Sequence, residues 1–234
     1  KQNMNTFKND LDFITRNSSL FVDRIQYSKI FAKYEIFKRI FNNPGSIIEC
    51  GVKEGSGLML FAKLSAIFEP YNFKRKIIGF DTFKGFPNLH DKDKSKLKKH
   101  KKIHKKGYNK SNLSILQNSI DDFNRKRPLN HLPKIELVKG DASKTIPKFI
   151  KRNSHLLISL LYLDFDLYKP TKIALKNFLP RMSKGSIIVF DELNDPKWRG
   201  ETMALLESFK LNKIKLEKFP FEPHLTYLNI NEKK

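Results

Sequence analysis

The chain has 234 residues, with 46 Lys and Arg against 24 Asp and Glu, a net charge of +22. Its 39% hydrophobic content and 20 Phe suffice for a full core, which excludes a disordered polycation, and the length suits one large domain better than two. A single cysteine excludes a disulfide scaffold and a Cys-rich zinc site, and no apolar run approaches the roughly 20 residues of a membrane span. With no apolar signal region in Lys1-Gln2-Asn3-Met4, the expectation is a basic cytoplasmic domain. With no initiator Met at position 1, the chain is expected to be either one trimmed for expression or an excised domain.

In chain order, residues 19–41 carry Phe21, Ile25, Ile30, Tyr34, Phe37 and Phe41 at helical spacing, which predicts a long amphipathic helix ended by Asn43-Pro44-Gly45. Residues 46–50 read as a short buried strand, 51–57 as a glycine-bearing turn and 58–68 as a helix. Strand 76–81 is followed by a basic stretch and by a helix over about 112–124. Then come strand 135–138, a short helix over 145–151 and an apolar strand over 155–163. Helix 170–179 has Pro in its first turn, strand 185–190 closes on Asp191-Glu192, and a last helix spans 195–210. Residues 213–219 and 225–230 suggest a β-hairpin. Strands alternating with helices predict an α/β fold with a doubly wound, mostly parallel, Rossmann-like sheet and a C-terminal antiparallel hairpin. The expected organisation is an N-terminal helical extension (1–44), a main domain (45–234) and a lysine-rich lid within it at about 88–125.

Residues 92–110 hold ten lysines with His100 and His104, offset only by Asp93. Such a run reads first as a solvated loop and second as an anion-attracting patch. Aromatic residues are not interleaved with the lysines, as single-strand stacking would require.

Against this basic background, five expected strands end at or beside a carboxylate: Glu49, Asp81, Asp141, Asp164 and Asp191. In an open α/β sheet these ends share the edge where ligands bind. Each acid alone has a plain structural role, since Asp commonly caps a turn or the next helix. Five in register mark a site. Glu49-x-Gly51-x-x-x-Gly55-x-Gly57 follows a strand and opens a helix, where glycine lets the backbone approach a ligand. Its spacing matches neither the dinucleotide fingerprint nor a P-loop. Asp81, at the next strand end, is placed to take ribose hydroxyls, in NAD or S-adenosylmethionine alike; alternatively it caps the turn before Thr82. Asp164-x-Asp166 and Asp191-Glu192 add the oxygen ligands that a hard cation such as Mg²⁺ prefers, and no His/Cys set of zinc type accompanies them. The competing reading has Asp166 capping the helix after it and Glu192 facing solvent. Cys50 reads as a packing residue and His155 as structural; His224 can face the site but is given no role.

Residues 44–52 with Gly55-Ser56, Ile78-Gly79-Phe80-Asp81-Thr82-Phe83-Lys84-Gly85-Phe86-Pro87, Lys139-Gly140-Asp141 with Thr145-Ile146-Pro147, Tyr162-Leu163-Asp164-Phe165-Asp166-Leu167-Tyr168 and the stretch 185–192 occur in one order. Together, over about 23–192, they resemble the motifs of the macrocin O-methyltransferase (TylF-like) family. The resemblance implies a class I, S-adenosylmethionine- and Mg²⁺-dependent O-methyltransferase (EC 2.1.1 type). It implies an oligomer that acts on hydroxyls of sugars or of glycosylated or nucleotide-linked small molecules.

Carried over, Glu49, Gly51, Gly55 and Ser56 would surround the methionine part of the cofactor. Asp81 would bind its ribose, and Asp141 with Ala142 its adenine. Asp164, Asp191 and Glu192 would hold Mg²⁺, and Asp166 would be the general base. Where the family commonly has adjacent aspartates, this chain has Asp191-Glu192, and Glu reaches further. The basic stretch falls in the family's variable lid region, so the acceptor does not carry over, although an acidic acceptor would suit the lysines. An RNA-modifying enzyme or a nucleic-acid-binding domain is the alternative, disfavoured by a carboxylate rim that would repel phosphate.

Overall fold

The computed structural model describes residues 11–94, 102–103 and 105–230. Residues 95–101 and 104, with His100 and His104, lie outside the described residues.

A seven-stranded sheet of order β3-β2-β1-β4-β5-β7-β6 organises the chain. Its strands are β1 (Ser46–Cys50), β2 (Ile77–Asp81), β3 (Ile135–Lys139), β4 (Ile158–Leu163), β5 (Met182–Phe190), β6 (Glu217–Phe219) and β7 (Glu222–Asn229). The first five run parallel; β7 pairs antiparallel with β5 and β6, giving the expected C-terminal hairpin. Every residue of β1 and β4 is buried, as a strand covered on both faces must be.

Among the described residues there are seven α-helices: α1 (Leu11–Arg16), α2 (Arg24–Ile40), α3 (Ser56–Phe68), α4 (Leu113–Lys126), α5 (Ala142–Arg152), α6 (Tyr168–Phe178) and α7 (Arg199–Ser208). Side chains alternate across each strand. Ile47, Ile77, Leu160, Tyr162, Ile187 and Val189 therefore pack on α2, α3 and α4. Ile48, Ile78, Phe80, Leu161, Leu163 and Phe190 pack on α5, α6 and α7. Helix α2 contributes Ala32, Ile36, Phe37 and Ile40 to the first core, and the buried Glu222 of β7 accepts a hydrogen bond from Ser28 of α2 at 2.6 Å.

Several element ends differ from the sequence reading. Helix α2 starts at Arg24 rather than near residue 19, because Asp23 caps it by accepting the N–H of Gln26 at 2.8 Å. Helix α5 starts at Ala142 because the Asp141 side chain accepts the N–H of Ser143 at 2.9 Å. Helix α6 starts at Tyr168, and α7 is confined to Arg199–Ser208, after a turn in which Asp195 accepts the N–H of Lys197. Strand β4 begins at Ile158, leaving His155 outside it. Helix α1 falls within the N-terminal extension but has no counterpart among the individual helices read from the sequence; it buries no side chain and so leaves little periodic signal.

The sheet's two edges differ in kind. At the N-terminal ends of the strands lies the buried Arg75. Its Nη1 donates to the Gly45 carbonyl at 2.9 Å and to Ser159 Oγ at 2.6 Å, and its Nη2 donates to the carbonyls of Phe41 (3.0 Å) and Asn43 (3.1 Å). Its Nε pairs with Glu69 at 2.7 Å. One guanidinium thus closes the end of α2 and joins it to β1 and β4. The C-terminal ends carry the acids.

Candidate active site

Backbone geometry first shapes this edge. Gly51, at φ +93°, meets β4 so closely that a Cβ would lie 1.9 Å from the Asp164 carbonyl oxygen. Lys53 (φ 54°), Phe83 (φ 54°) and Asp166 (φ 60°) adopt the left-handed conformation without being glycine. Such residues cluster where the surrounding structure fixes a functional geometry.

A cleft opens here. Gly51, Asp81, Asp141, Ala142, Asp164 and Asp166 line it, together with Lys53, Phe86, Pro87 and Asn109. Asp81 is held from both sides: Oδ2 accepts the N–H of Lys53 at 2.8 Å and Oδ1 that of Phe83 at 2.6 Å. Its turn-capping role and its place on the wall therefore coincide. The Asp141 carboxylate caps α5, so the β3 end offers the cleft Gly140 and the start of that helix.

Other expected site residues lie elsewhere. Gly55 is the left-handed N-cap of α3, and a Cβ there would strike the Leu116 side chain of α4 at 2.3 Å; its service is to packing. Ser56 is exposed beside it. Glu49 is buried beneath the glycine turn, and the residue that makes room for it is Gly57, whose Cβ would lie 2.1 Å from Glu49 Oε1. The other oxygen, Oε2, is buried with no hydrogen-bond partner. A buried carboxylate oxygen left unpaired costs free energy, which marks a place for a donor from a ligand. Burial pushes the Glu49 carboxyl up to about 7, with Asp191 and Asp81 adding to the rise and Lys33 opposing it.

Asp191 and Glu192 line an adjoining cavity with Asn194, Asp195, Pro196, Pro223 and His224. Sequence reasoning gave His224 no role, and tertiary packing brings it from the hairpin to this wall. A buried chain leads to Asp191 from α2: Lys33 Nζ donates to Tyr162 Oη at 2.7 Å, and Tyr162 Oη donates to Asp191 Oδ1 at 3.0 Å.

The acids push one another's pKa values up. Burial, then Asp191, lift Asp166 to about 7 against Lys197 and Lys53. Burial, then Asp191, Asp166 and Asp195, lift Glu192 to about 8. Asp164 is lifted well above the usual carboxylate range by burial and then by Asp191 and Asp166. Asp166 does not cap α6, whose N-cap is Leu167; it is buried at the cleft wall. Glu192 is half-buried rather than turned fully to solvent. Asp164 lines the cleft while Asp191 and Glu192 line the second cavity, and their oxygens are of the chemical type that a hard divalent cation prefers. Among the described residues no group of three or more acid, His or Cys side chains stands close enough together to hold a metal ion.

Over the cleft mouth, Phe86 meets Trp198 edge-on at 5.6 Å and Tyr108 at 5.7 Å. Phe86 exchanges backbone bonds with the far limb of the basic stretch: its N–H donates to the Tyr108 carbonyl at 2.8 Å, and its carbonyl accepts the N–H of Gly107 at 2.9 Å. The near limb is pinned by the buried Asp93, which accepts the N–H groups of His90 (2.7 Å) and Tyr168 (2.6 Å). Both limbs of the lysine-rich stretch are therefore anchored beside the site.

Comparison with known proteins gives this geometry its context. The family model for macrocin O-methyltransferase (TylF) matches residues 33–217. The fold is similar to a crystal structure of CalS11, a calicheamicin methyltransferase, with 33% identity, a TM-score of 0.88, and 94% of this chain and 86% of that chain covered. An apo structure of CalS11, described as a TDP-rhamnose 3'-O-methyltransferase, is 31% identical, with a TM-score of 0.80 and coverage of 94% and 87%. The O-methyltransferase NovP, at 18% identity and TM-score 0.66 over 88% of this chain and 80% of that one, shares the fold. No curated protein matches the chain. Among the described residues no helix is long and apolar enough to cross a membrane. With its strand order, its acid-rimmed cleft and a family match over most of its length, the chain belongs to the macrocin O-methyltransferase (TylF) family of S-adenosylmethionine-dependent methyltransferases.

Proposed function

We propose that the chain transfers a methyl group from S-adenosylmethionine to a hydroxyl of a nucleotide-linked sugar, with Mg²⁺ as cofactor. The observation that carries this reading is the acid cluster at the strand ends beside the two anchored limbs of the lysine-rich stretch. The 33%-identical CalS11, described as acting on TDP-rhamnose, supports the acceptor class.

In this reading Gly51 gives the cofactor close access to the backbone, and the unpaired Glu49 Oε2 takes a donor from its methionine end. Asp81 receives the ribose, and Ala142 borders the adenine. Asp164, Asp191 and Glu192 would hold Mg²⁺, which supplies charge stabilisation for oxygens of the acceptor when bound. Asp166 accepts the hydroxyl proton as the oxygen bonds to the methyl carbon and the methyl–sulfur bond breaks, its electrons returning to sulfur. A carboxyl at about 7 serves as a base near neutral pH. Exposed Lys53, Lys102, Lys105, Lys106 and Lys110 attract the acceptor's diphosphate, while the acids below reject phosphate from the reaction centre. The same rejection disfavours RNA as substrate. The single buried cysteine supports a reducing compartment such as the cytoplasm.

The test is incubation with S-adenosylmethionine and TDP-rhamnose, with Mg²⁺ and with EDTA, followed by mass spectrometry. A methylated sugar formed only with Mg²⁺ is the expected product. Binding of S-adenosylhomocysteine without methylation of any nucleotide-linked sugar would reject the acceptor class, and methylation unaffected by EDTA would reject the metal.

A further inference from the structure

The loops that carry Asp166 and Glu192 are joined by a residue that the sequence does not single out. Glu201 is fully buried in the first turn of α7. Its oxygens divide between the two loops: Oε1 accepts the N–H of Asp166 at 3.2 Å, and Oε2 accepts that of Glu192 at 3.4 Å. Asp166 sits at φ 60°, a conformation that costs an L-residue energy and persists only when its surroundings hold it. A bond to its own amide is one such hold.

The turn that carries Glu201 is itself wedged. A Cβ on Gly200 would lie 2.3 Å from the Tyr168 nitrogen and 2.5 Å from Asp93 Oδ1, so α7 meets the first turn of α6 with no room for a side chain. The start of α6 is the end of the Asp166 loop. A fully buried carboxylate beside other acids is an expensive way to fill space. An apolar side chain would fill it more cheaply but would leave two loop amides without this acceptor.

We propose that Glu201 is a positioning residue that sets the separation of Asp166 and Glu192 by bridging their backbones, without touching the substrate. The inference rests on the reading above, in which Asp166 takes the proton and Glu192 helps hold the cation.

The experiment compares wild type, Glu201→Gln and Glu201→Ala by Mn²⁺ binding (electron paramagnetic resonance), S-adenosylhomocysteine calorimetry and thermal unfolding. Gln keeps the shape and one acceptor; Ala removes both. The expected result is Mn²⁺ affinity weakened about tenfold or more in Glu201→Ala and less in Glu201→Gln, with S-adenosylhomocysteine affinity changed less than about twofold. A role in packing alone would weaken both ligands in proportion as the unfolding temperature falls, and that outcome overturns the proposal. Unchanged Mn²⁺ affinity in both folded variants overturns it while leaving the cation reading intact. Wild type that binds S-adenosylhomocysteine but no Mn²⁺ overturns both. Should Glu201→Ala fail to fold, Glu201→Gln decides by the same criteria.

Discussion

The two edges of the sheet use buried charge in opposite ways. At the N-terminal edge Arg75 meets four oxygen acceptors within 3.1 Å and a paired carboxylate, Glu69, so its charge is balanced where it lies. At the C-terminal edge Glu49, Asp164, Asp166, Glu192 and Glu201 all have raised pKa values, and Glu49 keeps an unpaired oxygen. A satisfied network of this kind is architecture. An unbalanced one costs stability and persists because a ligand completes it. The difference separates structural from functional burial without reference to any relative.

The comparison breaks most sharply at turnover. Asp164→Ala and Asp166→Asn are expected to lower methyl transfer by about 10²–10⁴-fold, while S-adenosylhomocysteine titrations stay close to wild type. Equal loss of cofactor affinity in a folded variant would reassign these acids to cofactor binding.

Arg75→Ala should do the reverse. Leaving Glu69 and several carbonyls unpaired is expected to cost about 3–5 kcal/mol in denaturant unfolding. Cofactor affinity measured well below the unfolding temperature should not change. A cost under about 1 kcal/mol would show that the basal network is not architectural.

Next in size is the dependence on pH. A base at about 7 predicts a rate that rises with pH through that value and levels above it. Stability runs the other way. Glu49, Asp166 and Glu192 bind protons more tightly folded than unfolded, so the native state holds more protons between about pH 4 and pH 8. Unfolding free energy contributed by these groups is therefore present at low pH and lost as pH rises towards 8. Scanning calorimetry of ligand-free protein should show the unfolding temperature falling by several degrees from pH 5.5 to pH 8, with Mg²⁺ restoring more at pH 8. A rise over that range, or equal Mg²⁺ effects at both values, would contradict the unbalanced rim.

The smallest expected effect is Tyr162→Phe. It cuts the path from Lys33 to Asp191 and should cost about 1 kcal/mol in unfolding free energy, with a small loss of Mn²⁺ affinity. No change in either would make the chain incidental.

Some of this was legible in the sequence and some was not. The apolar strands, Gly51 and the acids at the strand ends follow from local pattern, because a strand covered on both faces has to be apolar and its end has to turn. The roles within the acid set did not follow. Asp141 and Asp81 spend carboxylate oxygens on local backbone, and Gly55 packs on Leu116, as only their neighbours in space reveal. Glu201 reads as one more charge on a surface helix, and Lys33 as one more lysine of 46 Lys and Arg.

The sequence by itself determined the parallel α/β order, the placing of acids at one edge and the resemblance that names the family. These depend on residues near one another in the chain. Tertiary structure alone decided which acids share a field, where Glu49 loses its partner and how Lys33, Glu201 and His224 reach the site from α2, α7 and the hairpin. The physical reason is that pKa shifts and bridging hydrogen bonds fall off within a few ångströms. Only packing brings residues so far apart in the chain to such distances.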